Sequence, residues 1–150
     1  MKKILLSAAV LALTASAFAQ KKVDDVAKFT TETINFGKIK KDIPAKGVFI
    51  VTNISNAPLI IEQASPTCGC TISDYTKEPI AAGKTGVINA TYNATNVGHF
   101  DKHLTVKFAG IDEIKSITLT GDVLTPEDFD KLKPGETEPP AKDVKKTKKS

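Results

Sequence analysis

The sequence predicts an all-β protein whose main domain is an antiparallel β-sandwich of about seven strands. Three observations lead to this prediction. Short runs of β-branched and aromatic residues alternate between apolar and polar positions, and turn-forming residues separate these runs about every 8 to 12 residues. In addition, the 150-residue chain shows no convincing helical period.

The first half of the predicted domain contains three strands. Residues 34–39 alternate well enough for a first strand, and residues 47–53 form a continuous β-branched and aromatic run. In this second strand, Phe49 and Val51 are expected to face the core. A cluster of turn formers follows, so residues 59–64 are expected to return as the next, antiparallel strand.

Three further strands are predicted in the second half, at residues 86–92, 103–108 and 114–123. Their inward-facing residues, together with five aromatic side chains, are enough to fold a domain of roughly 100 residues without a metal or a disulfide. The expected core residues of these strands are Ile88, Ala90, Tyr92, Leu104, Val106, Phe108, Ile117 and Leu119, and the five aromatic residues assigned to the core are Phe36, Phe49, Tyr92, Phe100 and Phe108.

The N-terminus has the pattern of a secretory signal peptide. Two lysines precede an apolar run at residues 4–17, which is shorter than the roughly 20 residues that cross a bilayer. Small residues stand before position 20, where signal peptidase needs them. We therefore expect residues 1–19 to be removed by cleavage between Ala19 and Gln20. The chain would then be exported without a membrane span, to the periplasm or the outside of a bacterium, with a Gram-negative cell as the simplest source.

Composition divides the remaining chain into three parts. A polar lead-in at residues 20–28 precedes the sandwich at residues 29–124. Residues 125–150 are rich in lysine, acidic residues and proline, so a disordered tail is expected there. At most one helical turn is expected around residues 126–132, where Phe129 could pack back on the sandwich.

Charge and motif content exclude several functions. The formal net charge is only +4, and all 21 basic residues are lysine. The chain therefore has no arginine guanidinium group to make the bidentate hydrogen bonds that favour phosphates and base edges. Nucleic acid is therefore not an expected partner. Nucleophile elbows and glycine-rich phosphate loops are also missing from the sequence. We therefore expect no cofactor and no enzyme activity, with thiol exchange as the only plausible chemistry.

The chemically distinctive stretch is Cys68-Gly69-Cys70, which contains both cysteines of the chain. Export would permit a local disulfide, but closing a loop of about three residues would contribute only about 1.6 kcal/mol. A strained, exposed disulfide is easily reduced, so a second hypothesis is that these cysteines exchange disulfides with a partner. Both thiols could also simply pack at the end of a strand. The sequence leaves these readings open.

Metal binding is a further alternative, in which Cys68 and Cys70 would join one histidine, His99. The spacing argues against a complete site. His99 and His103 would lie about 13 Å apart along one strand, so only one histidine could reach the cysteines and at most three ligands would be available.

Seven short motifs occur in a recognisable order. They are Phe36-Gly37-Lys38-Ile39, Phe49-Ile50-Val51-Thr52-Asn53, Pro58-Leu59-Ile60-Ile61, Cys68-Gly69-Cys70-Thr71, Ala82-Gly83-Lys84-Thr85, Gly98-His99-Phe100 and Leu119-Thr120-Gly121-Asp122-Val123. The chain resembles, over roughly residues 29–123, the bacterial family catalogued as domain of unknown function 1573. One departure is Ala82, where the family often has proline. The resemblance implies secretion and an immunoglobulin-like (Ig-like) sandwich similar to the ASH and major sperm protein domains, and it brings no catalytic residues.

Two functional classes follow. The first is an exported, non-enzymatic Ig-like module that binds or assembles with another envelope protein or a surface polymer, because the sandwich pattern comes without catalytic groups. The alternative is a thiol-based redox or copper-handling protein, which depends on Cys68 and Cys70 alone.

Overall fold

The structure is a computed structural model that describes residues 21–67 and 71–132. The predicted signal peptide with its Ala19–Gln20 cleavage site, the Cys68 and Cys70 positions and the chain after residue 132 lie outside the described residues. The described part contains eight strands and two short helices. They are α1 (Val23–Val26), β1 (Ala27–Phe29), β2 (Thr33–Lys40), β3 (Ala45–Asn53), β4 (Ile61–Pro66), β5 (Thr71–Tyr75), β6 (Thr85–Tyr92), β7 (Gly98–Phe108), β8 (Ile114–Leu124) and α2 (Pro126–Asp130).

The strands form two four-stranded sheets that face each other. The first sheet has the order β1-β3-β6-β5, and the second sheet has the order β2-β8-β7-β4. This arrangement confirms the predicted Ig-like sandwich. One pair differs from the antiparallel expectation, because β2 runs parallel to β8. β1 and β2 are consecutive pieces of the chain that lie in different sheets, so β2 joins the second sheet beside the last strand.

The alternation of apolar and polar residues along the strands places the predicted core residues between the two sheets. Phe49 and Val51 on β3 are fully buried, as predicted. The predicted inward residues of β6, β7 and β8 are also buried. At one end of the core, the Tyr92 and Phe100 rings stack with their centroids 4.0 Å apart. Phe36 is only partly buried, and its ring centroid lies 6.3 Å from that of Phe100.

The N-terminal segment is part of the packed domain. α1 and β1 were not predicted, yet Val23 and Val26 of α1 are buried in the core. Lys115 on β8 holds this segment in place, because its Nζ lies 3.0 Å from Asp24 Oδ1 and 2.7 Å from Glu32 Oε1. These contacts, led by the hydrogen bond to Glu32, raise the pKa of Lys115 against the opposing effect of burial.

The prediction for residues 59–64 is wrong in its pairing. The strand exists as β4, but it lies in the second sheet and pairs with β7 instead of following β3 in a hairpin. The buried Asn53 side chain redirects the chain at the end of β3, since its Nδ2 donates to Ala57 O at 2.7 Å and to Ile80 O at 2.8 Å. Leu59 then forms an isolated bridge with Ile80 before β4 begins.

A short helix follows the last strand, where the sequence allowed one helical turn. Thr125 caps α2, because its Oγ1 accepts a hydrogen bond from the Asp128 N–H at 3.2 Å. The Lys40–Asp130 ion pair, 2.8 Å between Nζ and Oδ1, fastens the helix to β2. Phe129 is half-buried against this side of the sandwich.

No helix in residues 21–67 and 71–132 has the length and apolar character needed to cross a bilayer.

Candidate functional site

The residues on either side of the cysteine stretch are anchored in different sheets. Thr67 continues the pairing of β4, since its N–H donates to His103 O at 3.0 Å. Thr71 begins β5 opposite Tyr92 and is buried. The stretch therefore connects the edge strands of the two sheets. Nearby, the side-chain oxygen of Asn93 is buried without a hydrogen-bond partner.

A tyrosine links the same two edge strands. The Tyr75 hydroxyl on β5 donates to the Glu62 carbonyl oxygen on β4 at 2.9 Å. Lys77 Nζ lies 3.3 Å from the centroid of the Tyr75 ring, a cation–π contact. The Tyr75–Glu62 hydrogen bond therefore joins β4 and β5, the two strands that flank the cysteine stretch.

The two histidines lie on the exposed face of β7 and are each paired with a carboxylate. His99 Nδ1 is 3.0 Å from Asp122 Oδ1, and His103 Nε2 is 3.3 Å from Asp101 Oδ1. Within the part of the chain that the structure describes, no group of three His, Cys, Asp or Glu residues could hold a metal ion. His99 as a partner of Cys68 and Cys70 stays a sequence prediction, because both cysteines lie outside the described residues.

An apolar cleft of about 290 Å³ opens between the end of β2, the turn that leads to β3, and α2. Ile43 in the turn is 58% exposed, and Phe129 of α2 forms the opposite wall. The sequence contained two signals for this cleft, an isoleucine-proline pair in an otherwise charged turn and a phenylalanine in a charged tail. The lining residues are Lys38, Ile39, Lys40, Ile43, Pro44, Ala45 and Phe129.

The outer face of the first sheet carries a second apolar feature. Val48 and Ile50 on β3 are 50% and 40% exposed, and Val87 on β6 is 37% exposed. Ile50 and Val87 are direct register partners, and Val48 is two residues along the same face. The three side chains therefore form one continuous group, which we call the outer apolar patch. The sequence pattern placed these residues in strands and gave no sign of the patch.

Comparison with solved structures supports the fold. A protein of unknown function from Porphyromonas gingivalis W83 matches with a TM-score of 0.57 and 10% identity, over 65% of this chain and 46% of that one. This chain thus spans less than half of that protein. The ASH/PapD-like domain 7 of human CEP192 matches with a TM-score of 0.53 and 10% identity, over 67% and 86% of the two chains.

A third similar structure is the YadV chaperone, with a TM-score of 0.50 and 15% identity over 65% of this chain and 52% of that one. At such identities these structures show a shared fold alone. No curated protein matches the chain in sequence. A family model, however, matches residues 27–123, which include both sheets almost completely. The chain therefore belongs to the family described as "Protein of unknown function (DUF1573)".

Proposed function

We propose that this chain is an exported, non-enzymatic Ig-like module that binds another protein or a surface polymer of the bacterial envelope. The observation that carries this proposal is the outer apolar patch. Val48, Ile50 and Val87 leave apolar surface in contact with water at the centre of a sheet face. A partner that covered this surface would gain hydrophobic free energy without disturbing the fold.

The composition of the surrounding face also suits an interface. Polar side chains border the outer apolar patch, including Thr52 and Asn89 on the same strands. Protein interfaces commonly combine an apolar centre with a polar rim. The ASH/PapD-like and chaperone folds among the similar structures are consistent with a binding or assembly role.

Site-specific photo-cross-linking in intact cells tests this proposal. A photoreactive amino acid at Val87 samples the outer apolar patch, and the same group at Ile114 samples another exposed apolar position, on β8 of the second sheet. We expect one defined adduct from position 87 and none from position 114. Equal labelling from both positions, or no adduct from position 87, would contradict the proposal.

The thiol-based alternative depends on Cys68 and Cys70. These residues lie outside the described part of the chain, so a redox or copper-handling role stays a sequence prediction. No contact among the described residues favours it over the binding module.

A further inference from the structure

One side of β3 is left without a strand partner over its first residues. Asn53 faces β6, because its N–H donates to Lys84 O and its carbonyl accepts from the Gly83 N–H, each at 2.9 Å. The β3–β6 register is unbroken from Ala45 to Thr52. In an antiparallel ladder the hydrogen-bonding direction alternates, so odd-numbered residues of β3 face β6 and even-numbered residues face the opposite side.

On that opposite side, β1 covers only part of β3. Thr52 is paired with Lys28, and the Thr30 N–H donates to Ile50 O at 3.0 Å. The chain then passes into the second sheet as β2. Among residues 21–67 and 71–132, no strand pairs with Lys46 and Val48 on this side. Their backbone N–H and carbonyl groups thus form a short open edge, which we call the β3 edge.

The longer outer strands of the second sheet are less suited to pairing. On β4, Pro66 has no N–H, and the Glu62 carbonyl accepts from Tyr75. On β2, the register shifts between Asn35 and Lys38, and the Asn35 side chain accepts the Gly37 N–H at 2.8 Å. The β3 edge has no such protection.

The β3 edge lies beside the apolar cleft. Ala45 lines the cleft, and Lys46 is the next residue along β3. Lys38 and Lys40 also line the cleft. Asp130 Oδ1 of α2 is 2.8 Å from Lys40 Nζ, so these two charges form an ion pair at the wall of the cleft.

We propose that the β3 edge and the apolar cleft bind an extended segment of a partner protein that has one large apolar side chain between acidic residues. The segment would hydrogen-bond to Lys46 and Val48 as an added strand, insert its apolar side chain beside Ile43 and Phe129, and place its carboxylates near the lysines. This inference rests on the proposed function, since it specifies the partner of the binding module.

Two other occupants fit less well. The chain's own residues 133–150 contain six lysines against three acidic residues, and Ala141 and Val144 are their only apolar residues besides three prolines. They would bring positive charge to the lysines and little apolar surface to the cleft. A second copy docked edge to edge would place the same lysines opposite one another.

The test uses the purified full chain and the synthetic peptide acetyl-Glu-Val-Phe-Val-Glu-amide. Amide hydrogen exchange measured by NMR reports on each backbone N–H separately. At saturating peptide, we expect exchange at Lys46 and Val48 to slow at least about tenfold. Gly47 and Phe49 already face β6 and should not change.

Control peptides separate the three parts of the proposal. A version methylated on its backbone nitrogens cannot donate to a strand, and a version with lysine in place of glutamate has the wrong charge. A version with alanine in place of phenylalanine leaves the cleft unfilled. Each is expected to bind at least about fivefold more weakly than the parent peptide. Equal binding of all four peptides would overturn the proposal.

Protein variants provide a matched comparison. Ile43 and Ile114 are equally exposed, at 58%, and only Ile43 lines the cleft. Ile43→Ser should weaken peptide binding about fivefold to tenfold, whereas Ile114→Ser should not. An equal effect of Ile43→Ser and Ile114→Ser would contradict the assigned location.

The remaining outcomes distinguish other occupants and the parent proposal. Slow hydrogen exchange at Lys46 and Val48 without peptide would mean that the protein itself covers the β3 edge. If this protection increases with protein concentration, a second copy covers the edge. If it does not, the chain's own residues 133–150 cover it. Either result overturns the inference. If Val87 gives a defined cross-link but the peptide does not slow exchange at Lys46 and Val48, this inference is overturned and the proposed binding module stands. If neither experiment gives its expected result, both proposals are overturned.

Discussion

The ring of Phe100 lies 2.9 Å from the point that a Cβ on residue 121 would occupy, because Gly121 leaves room for it. The Gly37 carbonyl oxygen is equally close, at 2.9 Å. Three of the family motifs therefore meet at one place, where β2, β7 and β8 lie side by side. In this part of the chain, the family signature reflects close packing.

Gly121→Ala is expected to lower the free energy of unfolding by about 2–3 kcal/mol, because the added methyl group meets both a buried ring and a backbone carbonyl. Gly47→Ala is the matched control. Its nearest neighbours are the ends of the Ile34 and Phe36 side chains, at 2.9 and 3.1 Å, which can shift more easily. Chemical denaturation measures both losses. A loss for Gly47→Ala equal to or greater than that for Gly121→Ala would contradict this explanation.

Asn53 is expected to be one of the most sensitive polar positions. Its side chain donates to Ala57 O and Ile80 O and accepts from the Ser55 N–H at 2.9 Å. Asn53→Ala would leave these groups without their partner, and we expect a loss of about 2–3 kcal/mol. Thermal or chemical unfolding should show little change for the exposed Asn56→Ala. A loss below about 0.5 kcal/mol for Asn53→Ala would show that water or a local shift replaces the side chain.

The Lys115 ion pairs predict a pH dependence at the alkaline end. Since folding raises the pKa of Lys115, its stabilising contribution is fully present below the unfolded-state pKa of about 10.4 and is lost as the pH rises through the folded-state value. Lys115→Met keeps the apolar stem and removes the charge, and it should lower stability by about 1 kcal/mol or less near pH 7.

The difference in unfolding free energy between wild type and Lys115→Met should therefore shrink as the pH rises above about 10. Lys28→Met, at an exposed position of β1, serves as the control for losing a lysine charge. A wild-type advantage that persisted unchanged to pH 11 would show that packing, and not the ion pairs, is the source of the effect.

For the cysteines, the combined change Cys68→Ser and Cys70→Ser is expected to alter the unfolding free energy by no more than about 1.6 kcal/mol, because the closed loop is so short. A loss of several kcal/mol would instead indicate that these thiols hold a metal or a partner, or that they are packed in the core. Intact mass after alkylation, with and without reduction, identifies the thiol state, and a native spectrum detects retained metal. Unchanged partner oxidation and copper tolerance in the double variant would eliminate the thiol-based role.

Strands with one buried face were predictable because burial imposes a period of two. The run around Phe49 and the one around Leu104 show this alternation clearly. β1 has only three residues and β5 only five, which is too short for the pattern to stand out. The partner of β4 could not be predicted either, because alternation says which face is buried and not which sheet a strand joins.

The apolar cleft and the β3 edge could not be predicted from the sequence. Lys40 and Asp130 are 90 positions apart, and only the folded chain brings α2 against β2 to form the cleft. The β3 edge depends on where β1 stops pairing, which is a property of the chain path between Phe29 and Thr33. The cysteine motif was visible in the sequence and helped to identify the family, but the contacts of its flanking residues required the structure.

The most direct test of the binding module is the affinity of the partner recovered by the Val87 cross-link, measured by calorimetry against purified chain. Val48→Thr combined with Val87→Thr keeps β-branched side chains on both strands while making the outer apolar patch more polar. We expect this variant to fold with unchanged stability, within about 0.5 kcal/mol, and to bind the partner at least about tenfold more weakly than wild type or Ile114→Thr. Equal affinity of all three proteins would contradict the claim that this face binds the partner.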